Sequence, residues 1–210
     1  TAPDRAAQTI HFSIPSLQMF EAPYLIAAEK GYFADEGLDV QFIIANGGVA
    51  TPALISGSID ASASSASALA AIMRGAPLRI VLVQQIRPVY QLWSTRPEIK
   101  SLHDLKGKQI AVETRGGSGE VAARIAFQTA GMSPDDVGYV PLGTANSVSG
   151  ITGQLPAFIL SSADISQLKT AGVLGKAHLV LDYAKVAQMP INGLVVSQKL
   201  ITDNPDTLRK

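Results

Sequence analysis

Residues 113–120 read ETRGGSGE and lie between an apolar run, QIAV (109–112), and a helix-like run, EVAARIAFQTAG (120–131). Three glycines and one serine therefore stand where a strand passes into a helix. Glycine lets the backbone approach another group closely, and the first amides of a helix have no acceptor within it. Such a junction favours contact with a ligand that accepts hydrogen bonds. A surface turn in which Ser118 caps the helix is the alternative, and the sequence leaves both open.

The rest of the chain alternates between strand-like and helix-like patterns. Ile10, Phe12 and Ile14 alternate with their neighbours as in a strand. Pro23 suits the first turn of a helix that Gly31 ends. Further strands are predicted at DVQFIIA, DASAS and LRIVLV, with helices at TPALISGS and SALAAIMRG. This alternation predicts an α/β protein in which mostly parallel sheets are flanked by helices.

Two irregular segments that contain proline or break the alternation divide the chain into two sets of strands and helices. We therefore expect two lobes, the first made from residues 1–86 together with 190–210 and the second from 97–184. The segments 87–96 and 185–189 are expected to be hinge connections. A double connection of this kind permits closure of two lobes around a solute.

The composition excludes several classes of function. The 210 residues carry 17 basic and 17 acidic side chains, so the basic face that nucleic acid requires is not expected. The chain has no cysteine, which excludes disulfides and thiolate metal sites. The uncharged run 61–73 is too short and too rich in serine to span a bilayer. The polar start TAPDRAAQ is typical of an exported chain after removal of its signal peptide.

The glycine turn does not match the common phosphate-binding motifs. In G-x-x-x-x-G-K-[ST] a lysine follows the last glycine, whereas Glu120 follows Gly119 here. The spacing G-x-G-x-x-G fails because Ala122 stands at the third position after Gly119. A glutamate in the first turn of a helix also repels a polyphosphate. The turn is therefore not expected to bind a nucleotide phosphate.

The other junctions between strands and helices carry short, mostly neutral polar side chains. Each of them alone is typical of a helix N-cap. Together they line the sheet edges at which open α/β proteins bind ligands, and such a lining suits a small polar molecule. With the glycine turn, the candidate ligand contacts are Gln18, Phe20, Ser64, Ser65, Gly117, Ser118, Thr144, Asn146, Ser162 and Asp164.

Aromatic and cationic residues extend these candidates. Tyr90 and Trp93 lie in the first irregular segment, where they either pack in a core or stack on a ligand. Arg87 and Arg115 either pair with an anionic group or remain solvated. The three histidines of the chain have no partners at the spacing of a metal site or a catalytic triad. We therefore expect no metal, no cofactor and no catalytic residue.

Three blocks of sequence carry a resemblance to a known family: APYLIAAEKGYFADEGLDVQFI, ALISGSIDASASSASALAAIMRGAPLRIV and SLHDLKGKQIAVETRGGSGE. Together they resemble the solute-binding proteins of bacterial ABC importers, in the branch for nitrate, sulfonate, taurine and thiamine precursors. The resemblance covers nearly the whole chain and implies a two-lobed type II periplasmic binding fold. The ligand contacts that it implies are Gln18 and Phe20, Ser64 and Ser65, and Gly117 and Ser118.

The resemblance also implies where the protein works and with what. It implies export to the periplasm, or lipid anchoring outside the cell, and delivery of a solute to a membrane permease. Family members usually continue well beyond the last predicted strand, so the chain is expected to be short at its C-terminal end. We therefore expect an apolar face on the first lobe that is exposed or covered by a partner chain.

Three functions remain open at this point. The first is capture of a small polar or anionic organic solute (a sulfonate, taurine, nitrate or a pyrimidine precursor of thiamine) between the lobes by hinge closure, for an ABC importer. The second is an enzyme that resembles those of the menaquinone pathway, with Asp164 as acid or base. The third is the ligand-sensing domain of a regulator, although no DNA-binding segment is evident. We expect the first, a binding protein without enzymatic activity.

Overall fold

The computed structural model describes residues 7–17 and 19–209, and the side chain of Thr144 lies outside this description. The chain divides into two compact lobes, each with its own sheet and core. The first lobe comprises residues 1–85 and 190–210, and the second comprises residues 86–189.

The first lobe begins with four strands and four helices that follow the apolar pattern of the sequence. Ile10, Phe12 and Ile14 are all buried on one face of the first strand. Gly31 has a φ of 78°, a conformation that glycine adopts at little cost, and it separates the first two helices. The elements are β1 (Gln8–Ile14), α1 (Ala22–Glu29), α2 (Tyr32–Asp35), β2 (Leu38–Ile44), α3 (Gly47–Ser56), β3 (Ala61–Ser64), α4 (Ser65–Ile72) and β4 (Leu78–Val83).

The second lobe forms from one continuous segment, after which the chain returns to the first lobe. Its elements are β5 (Tyr90–Ser94), β6 (Gln109–Val112), α5 (Ser118–Thr129), β7 (Gly138–Pro141), α6 (Asn146–Ile151), β8 (Ala157–Ser161), α7 (Ser162–Thr170) and β9 (His178–Asp182). The returning segment supplies β10 (Asn192–Ser197) and α8 (Gln198–Asp203).

The two sheets share one topology. The first has the order β2-β1-β3-β10-β4 and the second the order β7-β6-β8-β5-β9. In each sheet four strands run in one direction and the fourth in the order, β10 or β5, runs against its neighbours. The predicted α/β architecture with mostly parallel sheets is therefore confirmed. The parallel strands end at one edge of each sheet, which we call the carboxyl edge.

The structure corrects two local predictions. The first irregular segment was predicted to lack secondary structure, but Tyr90–Ser94 is a strand that pairs with both β8 and β9. The helix α3 begins at Gly47, earlier than the pattern TPALISGS indicates, because the two glycines there form its first turn. The hinge role of 87–96 and 185–189 stays a prediction. Within 87–96, the residues on either side of the strand Tyr90–Ser94 are irregular.

An apolar face of the first lobe is incompletely covered. The cluster of Ile10, Phe12 and neighbouring side chains packs against α1, α2 and α8. A cavity of about 120 Å³ on this face is lined by apolar side chains that include Phe33, Val40 and Leu194. Leu82, which pairs with Leu194 on the edge strand β4, remains 48% exposed. This surface agrees with the expected apolar face.

Among the described residues, no helix has the length and apolar character needed to cross a membrane.

Candidate functional site

The carboxyl edge of the first sheet brings the N-termini of two helices side by side. Ser64 ends β3 and Ser65 begins α4, and both are buried. Asn192, at the start of β10, pairs with Ser64. A Cβ atom on Gly47, the first residue of α3, would lie 2.1 Å from Ser67 Oγ of α4. A side chain at position 47 therefore does not fit, and the glycine lets the two helix ends approach each other.

Several polar atoms at this edge are buried without a hydrogen-bond partner among the described residues. They are the side-chain oxygens of Asn46, Thr51, Ser65 and Ser67, which we call the hydroxyl cluster. Leaving a buried polar group unsatisfied costs about 1–3 kcal/mol, and most such groups in proteins are satisfied. The hydroxyl cluster is therefore the part of the first lobe that a bound polar molecule would stabilise. The three hydroxyls of the cluster both donate and accept hydrogen bonds, whereas the amide oxygen of Asn46 only accepts, so the cluster suits either kind of ligand group.

The start of β10 lies directly against Ser65 of the hydroxyl cluster. A Cβ atom on Gly193 would lie 2.9 Å from Ser65 Oγ and closer still to the backbone of β4. Tyr24 Oη donates a hydrogen bond to Gly193 O at 2.7 Å, and Asn192 Nδ2 donates to Glu21 Oε1 at 3.2 Å. Burial and the charge of Glu21 hold the pKa of Tyr24 well above its usual value, so its hydroxyl remains a donor. These two bonds fix the start of β10 to the start of α1.

The glycine turn of the second lobe leaves the N-terminus of α5 without a side-chain cap. Gly116 has a φ of 68°, which favours glycine. Gly117 is buried and is the N-cap residue, while the half-buried Ser118 is the first residue of the helix and does not cap it. The alternative in which Ser118 caps the helix is therefore wrong. The close backbone turn that the sequence predicts here is present.

A buried carboxylate holds the glycine turn in place. Glu120 Oε2 accepts a hydrogen bond from Gly116 N at 3.0 Å, and Glu120 Oε1 accepts one from Arg124 Nε at 2.8 Å. Arg124 Nη1 also donates to Asp135 Oδ1 at 3.2 Å, and its guanidinium lies 4.4 Å from the centre of the Tyr139 ring. Burial raises the pKa of Tyr139 to about 12. The guanidinium of Arg124 is thus engaged by three groups of its own lobe.

Asp164 holds two helices at the carboxyl edge of the second sheet. Its Oδ2 accepts from Ser161 Oγ at 2.6 Å and from Ser161 N at 2.9 Å, which completes a capping box at the start of α7. Its Oδ1 accepts from Ser147 Oγ of α6 at 2.9 Å. Both oxygens are thus used to position α6 and α7. This arrangement explains Asp164 without the acid or base role that the enzyme alternative requires.

Asn146 lies between the ends of two neighbouring strands. It is the first residue of α6 and is buried, and its Nδ2 donates to Ile159 O of β8 at 2.5 Å. The other side-chain atom, Asn146 Oδ1, is buried without a partner among the described residues. The second lobe therefore also has an unsatisfied polar atom at its carboxyl edge, and here it is an acceptor.

The two aromatic candidates lie at opposite ends of β5. Tyr90 is at the carboxyl edge, where its ring lies 3.4 Å from the position of a Cβ on Gly119. Trp93 pairs with Phe158 near the start of β8 and packs against the core of the second lobe. Its Nε1 donates to Gln91 Oε1 at 3.0 Å. The structure therefore places Tyr90 with the candidate site and Trp93 away from it.

The remaining candidates fall into three groups. Phe20 is half-buried in the turn before α1. Arg115 and Ser162 are exposed at the carboxyl edge of the second sheet. Gln18 and the side chain of Thr144 lie outside the described residues. Within the described part of the chain, no group of three or more histidine, aspartate or glutamate side chains is placed to hold a metal ion.

The sequence analysis missed three parts of these edges. Asn46 and Gly47 follow β2 in the same way as the serines follow β3, so the junction rule could have found them. Glu113 directly follows β6 and stands within the quoted stretch ETRGGSGE, so its position after a strand is the signal that indicates it. Asn192 begins an antiparallel strand, and no local pattern indicates that it reaches the same edge as Ser64.

Comparison with known proteins gives a consistent family and fold. Residues 19–210 match the family model described as NMT1/THI5 like. The riboflavin-binding protein RibY of Chloroflexus aurantiacus is 31% identical over 205 residues, which cover 94% of this chain. A solved structure from Bordetella bronchiseptica RB50 is 25% identical, with a TM-score of 0.76 over 97% of this chain and 67% of the other.

A second solved structure agrees in fold alone. The periplasmic aliphatic sulphonate binding protein SsuA of Escherichia coli is 19% identical, with a TM-score of 0.69 over 98% of this chain and 66% of that protein. The present chain spans 56% of the length of RibY.

Proposed function

Because this chain belongs to the NMT1/THI5-like family, we propose that it is the solute-binding component of an ABC importer. In this proposal it captures a small organic solute and does not convert it chemically. The relatives named above that carry a functional name are binding proteins. The similarity to these binding proteins also supports a location in the periplasm or on the outer face of the cell, with a membrane permease as the partner.

The hydroxyl cluster is the observation that carries the proposal. Its oxygens lie at a carboxyl edge, where open α/β folds bind ligands, and they are buried without partners among the described residues. A catalytic site would instead require an acid, base or nucleophile in position. The carboxylate considered for that role, Asp164, has both oxygens engaged in positioning helices. Binding without chemistry is therefore the better-supported function.

The proposal includes closure of the two lobes over the solute. This part follows from the predicted hinge connections and from the topology, in which the chain passes from one lobe to the other twice. The open and closed forms would differ in affinity for the solute, and the importer would recognise the closed form. We propose that the solute belongs to one of the classes considered above or, because RibY is named as a riboflavin-binding protein, that it is a flavin.

Isothermal titration calorimetry with a small panel of solutes tests the proposal. The panel is riboflavin, thiamine, taurine, ethanesulfonate and nitrate. We expect at least one of them to bind with a dissociation constant of about 1 μM or below, which corresponds to about 8 kcal/mol. The variant Ser65→Ala should weaken that binding about tenfold, because a buried hydrogen bond is lost.

Ser58→Ala is the matched control, since Ser58 is an exposed serine beyond the C-terminal end of α3. It should bind the same solute as tightly as the unaltered chain. A panel in which no solute binds more tightly than about 1 mM would contradict the proposed function. Equal affinities for Ser65→Ala and the unaltered chain would remove the hydroxyl cluster from the site.

A further inference from the structure

The carboxyl edge of the second sheet presents two carboxylates just beyond the ends of the neighbouring strands β6 and β8. Glu113 follows β6 and is exposed, and Asp164 lies in the first turn of α7 after β8. Partial burial and the charge of Asp164 raise the pKa of Glu113. Among the described residues, neither carboxylate forms an ion pair. Two carboxylates thus lie at this edge without an ion pair to either of them among the described residues.

An unsatisfied acceptor lies at the same place. The backbone N–H groups of Leu142 and Gly143, shortly before Asn146, donate to the carbonyls of Val112 and Glu113 at the end of β6. The side chain of Asn146 donates to Ile159 O near the end of β8, so Asn146 lies close to both strand ends. Its Oδ1 is buried and has no donor among the described residues. An acceptor in this state is stabilised by a ligand that supplies an N–H or O–H group.

The cationic groups that would draw an anion to this edge are largely occupied. The positive end of α5 already faces the buried carboxylate of Glu120. Arg124 is engaged by Glu120, Asp135 and Tyr139. Arg115 remains as an exposed cation of the turn. Asn146 Oδ1 and the carboxylate of Glu113 are acceptors without a side-chain donor among the described residues, so this part of the edge favours a donor.

We propose that the second lobe recognises a hydrogen-bond-donating group of the solute, an N–H or an ammonium, with Glu113 and Asn146 Oδ1 as its acceptors and Asp164 as a neighbouring charge. The inference rests on the proposed function and names the class of solute for that site. It favours a heterocycle with a ring N–H, or an amine, over a simple sulfonate or nitrate. Asp164 acts here as a positioning residue, since its oxygens already hold α6 and α7.

Two matched pairs of solutes test this inference, because the members of each pair differ in the donor. Riboflavin has a ring N–H that 3-methylriboflavin lacks, and taurine has an ammonium that ethanesulfonate lacks. We expect the donor-bearing member of the pair that binds to have at least tenfold higher affinity. Glu113→Gln should reduce that affinity about tenfold and leave the other member unchanged, as measured by titration calorimetry.

Glu98→Gln is the control variant. Glu98 is an exposed carboxylate in the connection from β5 to β6, at the opposite edge of the same sheet, and its replacement removes the same charge. It should leave both affinities as they are. Equal affinity within a pair, or an equal effect of Glu98→Gln and Glu113→Gln, would overturn the inference while leaving the proposed function standing. If no solute of the full panel binds the unaltered chain, the proposed function fails and this inference with it, whereas binding of nitrate or ethanesulfonate alone overturns only the inference.

Discussion

Glu113 illustrates how a single residue at the proposed binding edge costs stability. Its pKa is raised by partial burial and by the charge of Asp164, so the folded chain holds this proton more tightly than the unfolded chain does. In the pH range between the two pKa values the folded state binds more protons, and the free energy of unfolding falls as the pH rises. Binding sites commonly carry such unfavourable groups, because the ligand supplies the missing interaction.

We predict that Glu113→Gln is more stable than the unaltered chain at pH 7. Gln resembles the protonated carboxyl group, so the variant avoids the loss of stability that accompanies ionisation of Glu113. Well below pH 4.5, the usual value, the carboxyl is protonated in both states and the difference should vanish. Urea unfolding followed by Trp93 fluorescence measures this, since Trp93 is the single tryptophan and lies in the second lobe.

The opposite sign at pH 7, or a difference that persists unchanged at low pH, would contradict this account of Glu113. The prediction also strengthens the binding test. A variant that binds more weakly and is yet more stable has not lost affinity through unfolding.

At the scale of elements, the first turn of α5 is held by its own side chains. Glu120 is 4% exposed and joins the amide of Gly116 to the guanidinium of Arg124. The turn and the helix are thereby fixed to each other, and Arg124 extends the connection to Asp135. A glycine-rich turn has a high conformational entropy when free, so its geometry depends on such bonds.

Replacing Glu120 by alanine should destabilise the second lobe by about 2 kcal/mol, because two charge-assisted hydrogen bonds to a buried carboxylate are lost. Asp135→Ala is the matched control. It removes the second carboxylate that contacts Arg124, and the side chain of Asp135 is 86% exposed. The substitution should therefore change the stability by no more than about 0.5 kcal/mol. Urea unfolding monitored by Trp93 gives both values. Similar effects of the two substitutions would show that the buried carboxylate has no special role.

At the scale of the whole molecule, the two lobes differ in how the chain builds them. The second sheet takes all five strands from the continuous segment 86–189. The first sheet requires β10, which lies between β3 and β4 and reaches the first lobe only after the second is complete. A lobe with its own sheet and core from one segment has what a domain needs to fold alone.

We predict that a fragment of residues 86–189 folds by itself and unfolds cooperatively, as observed by circular dichroism and by Trp93 fluorescence. A fragment of residues 1–85 should not, because without β10 the strand β4 has no neighbour and the sheet is interrupted. A stable, cooperative fragment 1–85 would show that β10 is dispensable. An unstructured fragment 86–189 would show that the second lobe depends on the first.

The sequence by itself determined the class of the fold and the kind of residue at the sheet edges. Apolar alternation and the glycines after helices are local signals of backbone conformation, so they predict strands such as β1 and helix ends such as Gly31. Serines after β3 and the glycine turn after β6 were likewise found from local patterns. The short strand Tyr90–Ser94 was missed because neighbouring prolines obscure its pattern, and only pairing with β8 and β9 specifies it.

The tertiary structure alone decided which of these residues meet. Asn192 reaches Glu21 across 171 positions of the chain. Burial, together with the charge of Asp164 in the first turn of α7, raises the pKa of Glu113. Strand order depends on long-range pairing that no local period records. Burial, which sets pKa values and leaves Asn146 Oδ1 and Ser65 Oγ without partners, is likewise a property of packed elements. The physical reason is that local propensity acts over a few residues, whereas electrostatics and hydrogen-bond satisfaction depend on every group that folding brings near.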